Sequence, residues 1–488
     1  MWFQIALVFL CIYLWFRNRY EYFKRLGIPF VPPTFPYGSS STVSRTEHIG
    51  DVLRQQYEKF KNQGPAFGTF IFAKPLLVPT DPELVKEIFV RNFESFHDHG
   101  FIYNEKVDPL SANLFFKNGQ EWKDLRNKLS PTFTSGRMKM MFPLVLNASN
   151  RLIDYLVPYA EKSKPFEVKE VYSSFTTEVI SDVAFGITTK CLGNPNNDFR
   201  KMARAVFEPN IWESMRVFFV FSFEKLAMFL NMSFNPKHVT EFFMGTVRDT
   251  LNYREKNKVE RNDFFQLLMN IKNSPEGMSF NEVAANSFVF MVAGFETSSS
   301  VLTFTSYELA LNQDIQDKLR NEINEVLANH NGEITYDAIM EMKYLDMVFN
   351  ESLRKYPGVD SQNRKATKDF TIPNTNITIP AGTSIMISSY ALHNDERFWE
   401  NPEKFDPDRF LPENVHKRHP FCYIPFSEGP RQCIGLRFGQ MQSKIGIVNL
   451  IKNFRILPCS KTIIPMKFSP TAAFQSPVGG MWLKFEKL

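Results

Sequence analysis

One cysteine constrains this 488-residue chain more than any other residue. Cys433 lies in the run Phe426-Ser427-Glu428-Gly429-Pro430-Arg431-Gln432-Cys433-Ile434-Gly435, and apolar residues follow at Phe438, Met441, Ile445 and Val448. Together with Ile434, that spacing marks one face of a buried helix. Cys433 therefore stands at or just before a helix amino terminus, where free backbone N–H groups and the helix dipole favour a thiolate. An anionic sulfur suits a soft ligand for iron. Gly429 and Gly435 allow the backbone to approach a flat partner, Phe426 can pack beside the sulfur, and Arg431 can offer a cation to a carboxylate. A lone cysteine before a helix is ordinarily a small buried hydrophobe, and its neighbours here argue for more. Cys422 lacks the flanking glycines and is expected to be structural.

The other cysteines (Cys11, Cys191 and Cys459) are scattered, so all five make an odd count without a CxxC pair. That disfavours a disulfide framework or a structural zinc site and fits a reducing, cytosol-facing compartment. A net charge of +5, with bases and acids interleaved, gives no stripe for nucleic acid. The 50 phenylalanines suit packing around a large flat apolar object, contact with lipid, or simply an aromatic core.

Residues 1–17 read as a membrane anchor. Met1 to Phe16 is apolar apart from Gln4, and Arg17, Arg19, Lys24 and Arg25 follow. A spanning helix needs about 20 apolar residues, so Tyr20 and Tyr22 are expected as interfacial anchors. A cleaved signal would carry its basic residues first and a small-residue cleavage site afterwards. Positive charge behind the apolar run keeps the body in the cytosol, which leaves the sequons at Asn147, Asn231 and Asn376 unmodified. Residues 18–38 form a basic, proline-rich connector, stiffened by Pro29, Pro32, Pro33 and Pro36.

Residues 39–488 read as a single large domain, mainly α with a minor β-sheet region. A hairpin is expected over Gly68 to Pro79, and Asp81-Pro82-Glu83 opens a helix with a cap, a proline and an early acid. The pattern is then chiefly helical from about 120 to 357, before short strands return near Thr371 to Ile379 and Thr383 to Ser388. A second apolar region, Val217 to Phe221 and Leu226 to Phe234, reads either as a core helix or as a segment that dips into the membrane.

Further constellations lie in the helices. Ser279-x-x-Glu282 is a capping box opening a helix that runs to about Leu311, and inside it lies Ala293-Gly294-Phe295-Glu296-Thr297. Small residues at 293 and 294 admit a flat cofactor, and an acid beside a hydroxyl in an apolar helix is costly unless water or substrate uses it. Glu351 and Arg354 form an i, i+3 pair on a helix ended by Pro357-Gly358.

The segment from Phe426 to Gly435 matches, position by position, the F-x-x-G-x-R-x-C-x-G signature of the cytochrome P450 superfamily. From about residue 30 to the carboxyl end the chain resembles that family, most of all its insect microsomal, xenobiotic-metabolising members. The resemblance implies the cytochrome P450 fold and haem b, held by Cys433 with Phe426, Gly429, Gly435 and Ala293 around it. The Trp122 and Arg126 helix is similar to the family's W-x-x-x-R, whose members reach the propionates, a task that Arg364 and Arg431 would share. Glu351 and Arg354 resemble E-x-x-R, with Arg409 completing a buried cluster in which Asp408 departs from the commoner Glu. Thr297 would hydrogen-bond dioxygen or its water, and Glu296 would help relay protons. His99 stands where the insect F-H-D-R-G segment has Arg, which puts one propionate contact in doubt.

The implied reaction is insertion of one atom of O2 into a small lipophilic substrate: a xenobiotic such as a plant toxin or insecticide, or an endogenous lipid or hormone. Electrons would come from NADPH through NADPH–cytochrome P450 reductase at the endoplasmic reticulum membrane, with Lys417 and Arg418 as docking candidates. The polar segment from Val359 to Asn363 hints at a substrate with polar groups. The alternatives are a haem-thiolate isomerase or ligand-binding protein without O2 activation, which altered residues at 296 and 297 would indicate, and a membrane-anchored helical scaffold.

Overall fold

This computed structural model describes residues 1–488 apart from Pro195 and Glu276. Helix α1 (Trp2–Tyr20) has 19 residues, so at a rise of about 1.5 Å each it is roughly 28 Å long. Its apolar side chains are largely exposed, Trp2 at 78% and Phe9 at 67%. Phe16 is its buried residue, meeting Phe35 and Phe72 edge-on at 5.0 and 5.1 Å. The connector beyond it lies on the body: Phe23 and Ile28 are buried, and Gly68 N–H donates to Pro29 O at 2.8 Å. A Cβ at Gly68 would sit 2.2 Å from the Phe23 ring, so glycine lets the connector lie flat.

The expected hairpin is present as β1 (Ala66–Ile71) and β2 (Lys74–Pro79), paired antiparallel. Two later strands, β3 (Gln362–Lys365) and β4 (Ser384–Ile387), extend it into a four-stranded sheet of order β1-β2-β4-β3. The β2–β4 pairing is parallel and the β3–β4 pairing antiparallel, setting Arg364 opposite Ile385. Asp81 caps the next helix by accepting from Glu83 N–H at 2.9 Å, as its side chain predicts.

The rest is mostly helical: α2 (Gly119–Leu129), α3 (Ser135–Glu161), α4 (Val168–Ala184), α5 (Ile211–Ser222), α6 (Glu224–Phe229), α7 (Phe280–Leu311), α8 (Lys343–Lys355) and α9 (Leu436–Asn453). Both halves of the Ser279–Glu282 capping box form at the start of α7, at 3.1 Å each. Among the described residues α7, and not α1, is the helix long and apolar enough to pass as a membrane span, but 61% of its apolar window is buried inside the body. It is the central core helix, packed by α4, α8 and α9. The crossings are close, since a Cβ at Gly294 would meet Ile180 Cδ1 at 2.5 Å and one at Gly446 would meet Leu302 Cδ2 at 2.9 Å.

The second apolar region forms α5 and α6, and the core-helix reading of it fails. Val220 and Ala227 are buried, but Phe229 and Leu230 are 81% and 53% exposed, and the neighbouring Trp212 is 76% exposed. A patch of that kind marks a surface for lipid or a partner.

Candidate functional site

Cys433 precedes α9 by three residues, as its sequence implies. Its N–H donates to Phe426 O at 2.8 Å, closing the loop on itself. Cys433 sits deep in the fold but its side chain is left uncovered by protein atoms, whereas Cys422 is buried with its thiol pushed up to about 12 by burial. The expectation of a helix-stabilised thiolate is only partly met. Burial within the fold raises the Cys433 thiol, outweighing the Gly435 N–H and the Arg126 charge that lower it. A cationic metal on the sulfur would reverse that balance, because a coordinating thiol is deprotonated outright.

The two loop glycines act differently. Gly429 has φ +75° and a Cβ there would lie 2.0 Å from Phe89 O, so this glycine serves the close approach of two backbones rather than a flat cofactor. The nearest atom that a Cβ at Gly435 would meet is Cys433 Sγ at 4.0 Å, so the lack of a side chain keeps one flank of the sulfur clear.

Arginines surround this loop. Arg431 donates from Nε to His97 O at 2.7 Å and from Nη2 to Lys117 O at 2.8 Å, and its guanidinium lies 4.2 Å from the centre of the Trp122 ring. Arg126 follows Trp122 by one turn of α2 and acts on the Cys433 sulfur. Arg364, on β3, donates from Nη2 to Ser427 Oγ at 3.0 Å and stacks 4.6 Å over Phe89, while its buried Nε has no acceptor. Burial draws Arg364 down to about 9 with no carboxylate opposing it, and Arg431 to about 9 with Asp98 3.8 Å away. Both remain cations at neutral pH. His99 is held well below its ordinary range by burial and by these two charges, so it adds no positive charge where an arginine was expected.

On α7, Ala293 and Thr297 are separated by one turn, and Thr297 Oγ1 donates to Ala293 O at 2.6 Å. A Cβ on Gly358, in the loop after α8, would touch Thr297 at 3.4 Å. The helix continues through both residues without a break. Glu296 is paired with Lys169 Nζ on α4 at 2.6 Å. Gly294 faces Ile180, so its small size serves helix packing and not a cofactor.

A profile of the Cytochrome P450 family matches residues 29–484. The chain is 42% identical to cytochrome P450 6a2 of Drosophila melanogaster over 499 residues, covering 99% of this chain and 98% of that one. It is 41% identical to cytochrome P450 6A1 of Musca domestica, over 97% and 95% of the two chains.

The chain belongs to the cytochrome P450 family.

It is thus a haem-thiolate monooxygenase that binds haem b through a cysteine and acts with O2, a lipophilic substrate and a redox partner. The residues present fit that cofactor. Haem b carries two carboxylates, and this cytochrome P450 gathers three arginines beside an accessible cysteine, one of them buried with an unsatisfied N–H. Buried cations of this kind are stable only when an anion meets them.

A second charged cluster is buried around α8. Arg354 donates to Glu351 from Nε at 2.7 Å and Nη2 at 2.9 Å, and to the carbonyls of His393 and Pro402 at 2.9 and 2.7 Å. Arg409 Nε is 3.4 Å from Glu351, completing the expected triad. Asp408 instead faces Lys318 at the surface at 3.4 Å, so the family departure there leaves the cluster untouched. Arg418 is not a free docking cation. It lies 4.3 Å over Trp399 and donates to Arg409 O at 2.8 Å, while Lys417 stays exposed.

Several polar groups after Gly358 are taken up by internal bonds, while Asp360 Oδ2 and Gln362 Oε1 are buried with no hydrogen-bond partner. Asp360 O accepts from Tyr390 N–H, Ser361 Oγ donates to Asp360 at 3.3 Å, and Gln362 Nε2 donates to Ser389 Oγ and to Ile424 O. Nothing in the sequence alone singles out Ser427 or Lys169. A signal for Gln362 exists, because residues 362 and 364 share one face of a strand.

Proposed function

We propose that Cys433 is the axial ligand of haem b and that Arg126, Arg364 and Arg431, with Trp122 supporting Arg431, receive its propionates. Ala293, Phe426 and Gly435 would border the ring, while Glu351, Arg354 and Arg409 hold the loop from beneath. The observation that carries this reading is the accessible Cys433 on a loop bonded to the unpaired, buried Arg364 through Ser427. When bound, haem supplies reductive activation of O2 and transfer of one oxygen atom to the substrate.

The protein's own part is proton supply and exclusion of bulk water. Thr297 Oγ1 can leave its bond to Ala293 O and hand a hydrogen bond to dioxygen or its water. Glu296 would accept and pass a proton, with Lys169 holding its carboxylate in place. Their presence supports oxygenation over isomerisation or passive ligand binding. The substrates would be small lipophilic xenobiotics, or endogenous lipids or hormones.

Exposed α1 supports anchoring in the endoplasmic reticulum membrane, with Arg17 to Arg25 holding the body in the cytosol. Exposed Trp212 and Phe229 on α5 and α6 support a second contact with the same bilayer. The sequons at Asn147, Asn231 and Asn376 then stay unmodified, and a mass shift on glycosidase treatment of the expressed protein would reverse this topology. NADPH–cytochrome P450 reductase is the proposed electron donor, with Lys417 among its contacts.

The test is the difference spectrum of the reduced, haem-loaded protein with carbon monoxide. A thiolate-type Soret band, lost in Cys433→Ser, is expected; a histidine-like band, or a band that survives the substitution, overturns the ligand assignment.

A further inference from the structure

Two side chains of β3 grip the loop that leads to Cys433. Gln362 and Arg364 alternate onto one face, where Gln362 Nε2 donates to Ile424 O at 2.7 Å and Arg364 Nη2 donates to Ser427 Oγ at 3.0 Å. Ile424 N–H in turn donates to the buried His393 Nε2 at 2.8 Å. Ser427 has φ +61°, the left-handed region in which any residue with a Cβ is penalised. Glycine would relieve that conformation, yet the residue is a serine. Such a residue persists when its surroundings over-determine it, and strain of this kind gathers at functional sites. The bond that distinguishes serine from glycine here is the one from Arg364, whose Nη1 is committed to Asn363 O at 2.8 Å and whose Nε has no acceptor.

We propose that Ser427 is a positioning residue for the cofactor: its hydroxyl fixes the Arg364 guanidinium, leaving Nε for a propionate, and thereby ties the carboxylate edge of the haem to the cysteine loop. This rests on the haem assignment above. The propionate contact and the thiolate contact then stop being independent, since both depend on one loop held in a strained turn.

The test uses the full-length holoprotein, with haem transfer to excess apomyoglobin as the readout beside the carbon monoxide spectrum. Ser427→Gly removes the hydroxyl and relieves the backbone. It is expected to release haem roughly tenfold faster, the order of one hydrogen bond to a charged group, with faster decay of the thiolate-type band. Ser427→Ala, strained as well, should be no better. In a cycle with Arg364→Met, the double variant should lose haem no faster than Arg364→Met alone; if Arg364→Met does not load haem, Arg364→Lys takes its place. Ser427→Gly releasing haem at the wild-type rate, or an effect that multiplies with that of the Arg364 variant, overturns the proposal. A wild-type protein without the thiolate-type band would instead overturn the haem assignment itself.

Discussion

Glu351→Gln keeps the shape of a side chain while removing the charge at the centre of the buried Glu351–Arg354–Arg409 cluster. The carboxylate now receives two bonds from Arg354 and one from Asp406 N–H, with Arg409 at 3.4 Å. Glu351 and Arg354 are both 0% exposed, so the variant strands a cation that water cannot reach. Breaking a buried pair from one side costs about 3–5 kcal/mol. Arg354 keeps its bonds to the His393 and Pro402 carbonyls, which puts the expectation near the lower end. Unfolding entropy of about 2.1 cal/mol/K per residue gives roughly 1 kcal/mol/K for 488 residues. The thermal midpoint should therefore fall by about 3 °C. Circular dichroism at one fixed scan rate, alongside the carbon monoxide spectrum, measures it. The contrast is Asp408→Asn, whose pair with Lys318 is about half exposed on both sides; it should cost under about 1 kcal/mol and shift the midpoint by less than about 1 °C. A Glu351→Gln midpoint within about 1 °C of wild type, or equal damage from Asp408→Asn, would refute the reasoning.

Three further outcomes are expected. Thr297→Ala should uncouple oxygen consumption from product and raise peroxide release; tight coupling in the variant would remove Thr297 from proton delivery. Gly294→Ala should lower stability by about 1–3 kcal/mol through overpacking, and Ile180→Val, which deletes the Cδ1 it would strike at 2.5 Å, should restore the loss; absence of rescue would mean the glycine answers to something else. Asp360 is buried with its carboxyl pushed up to about 6. A carboxyl raised in the folded state is a stability cost that is complete above that value and fades as pH falls toward its unfolded value. Asp360→Asn should thus raise the thermal midpoint most at about pH 8, by up to about 3 kcal/mol of stability, and progressively less below about pH 6. A gain that is flat with pH would show that Asp360 does not titrate in this range.

Much of the candidate site is legible in the sequence, and for a local reason. The cysteine loop, the Ser279–Glu282 box and the Asp81 cap are set by residues within a few positions of each other, and all form as their spacing implies. The glycines are harder to read, because a glycine reports only that a side chain is not tolerated. What approaches Gly429 is the Phe89 carbonyl and what approaches Gly294 is Ile180, and both come from distant parts of the chain. Arg418 has the sequence context of a surface cation, but Trp399 lies beneath it. The apolar run from Val217 to Phe234 satisfies a core helix and a lipid-facing one equally, because composition carries no information about which face finds a partner.

The sequence by itself determined the chemistry: a cysteine thiol before a helix, arginines suited to carboxylates, an acid–hydroxyl pair in an apolar helix and an apolar leader followed by bases. Tertiary structure alone decided the pairings. Lys169 with Glu296 and Arg364 with Ser427 join residues 127 and 63 positions apart. Such contacts form only after the helices and the sheet have packed, since burial of apolar faces places the elements and charged side chains then bond whatever that packing brings within about 3 Å.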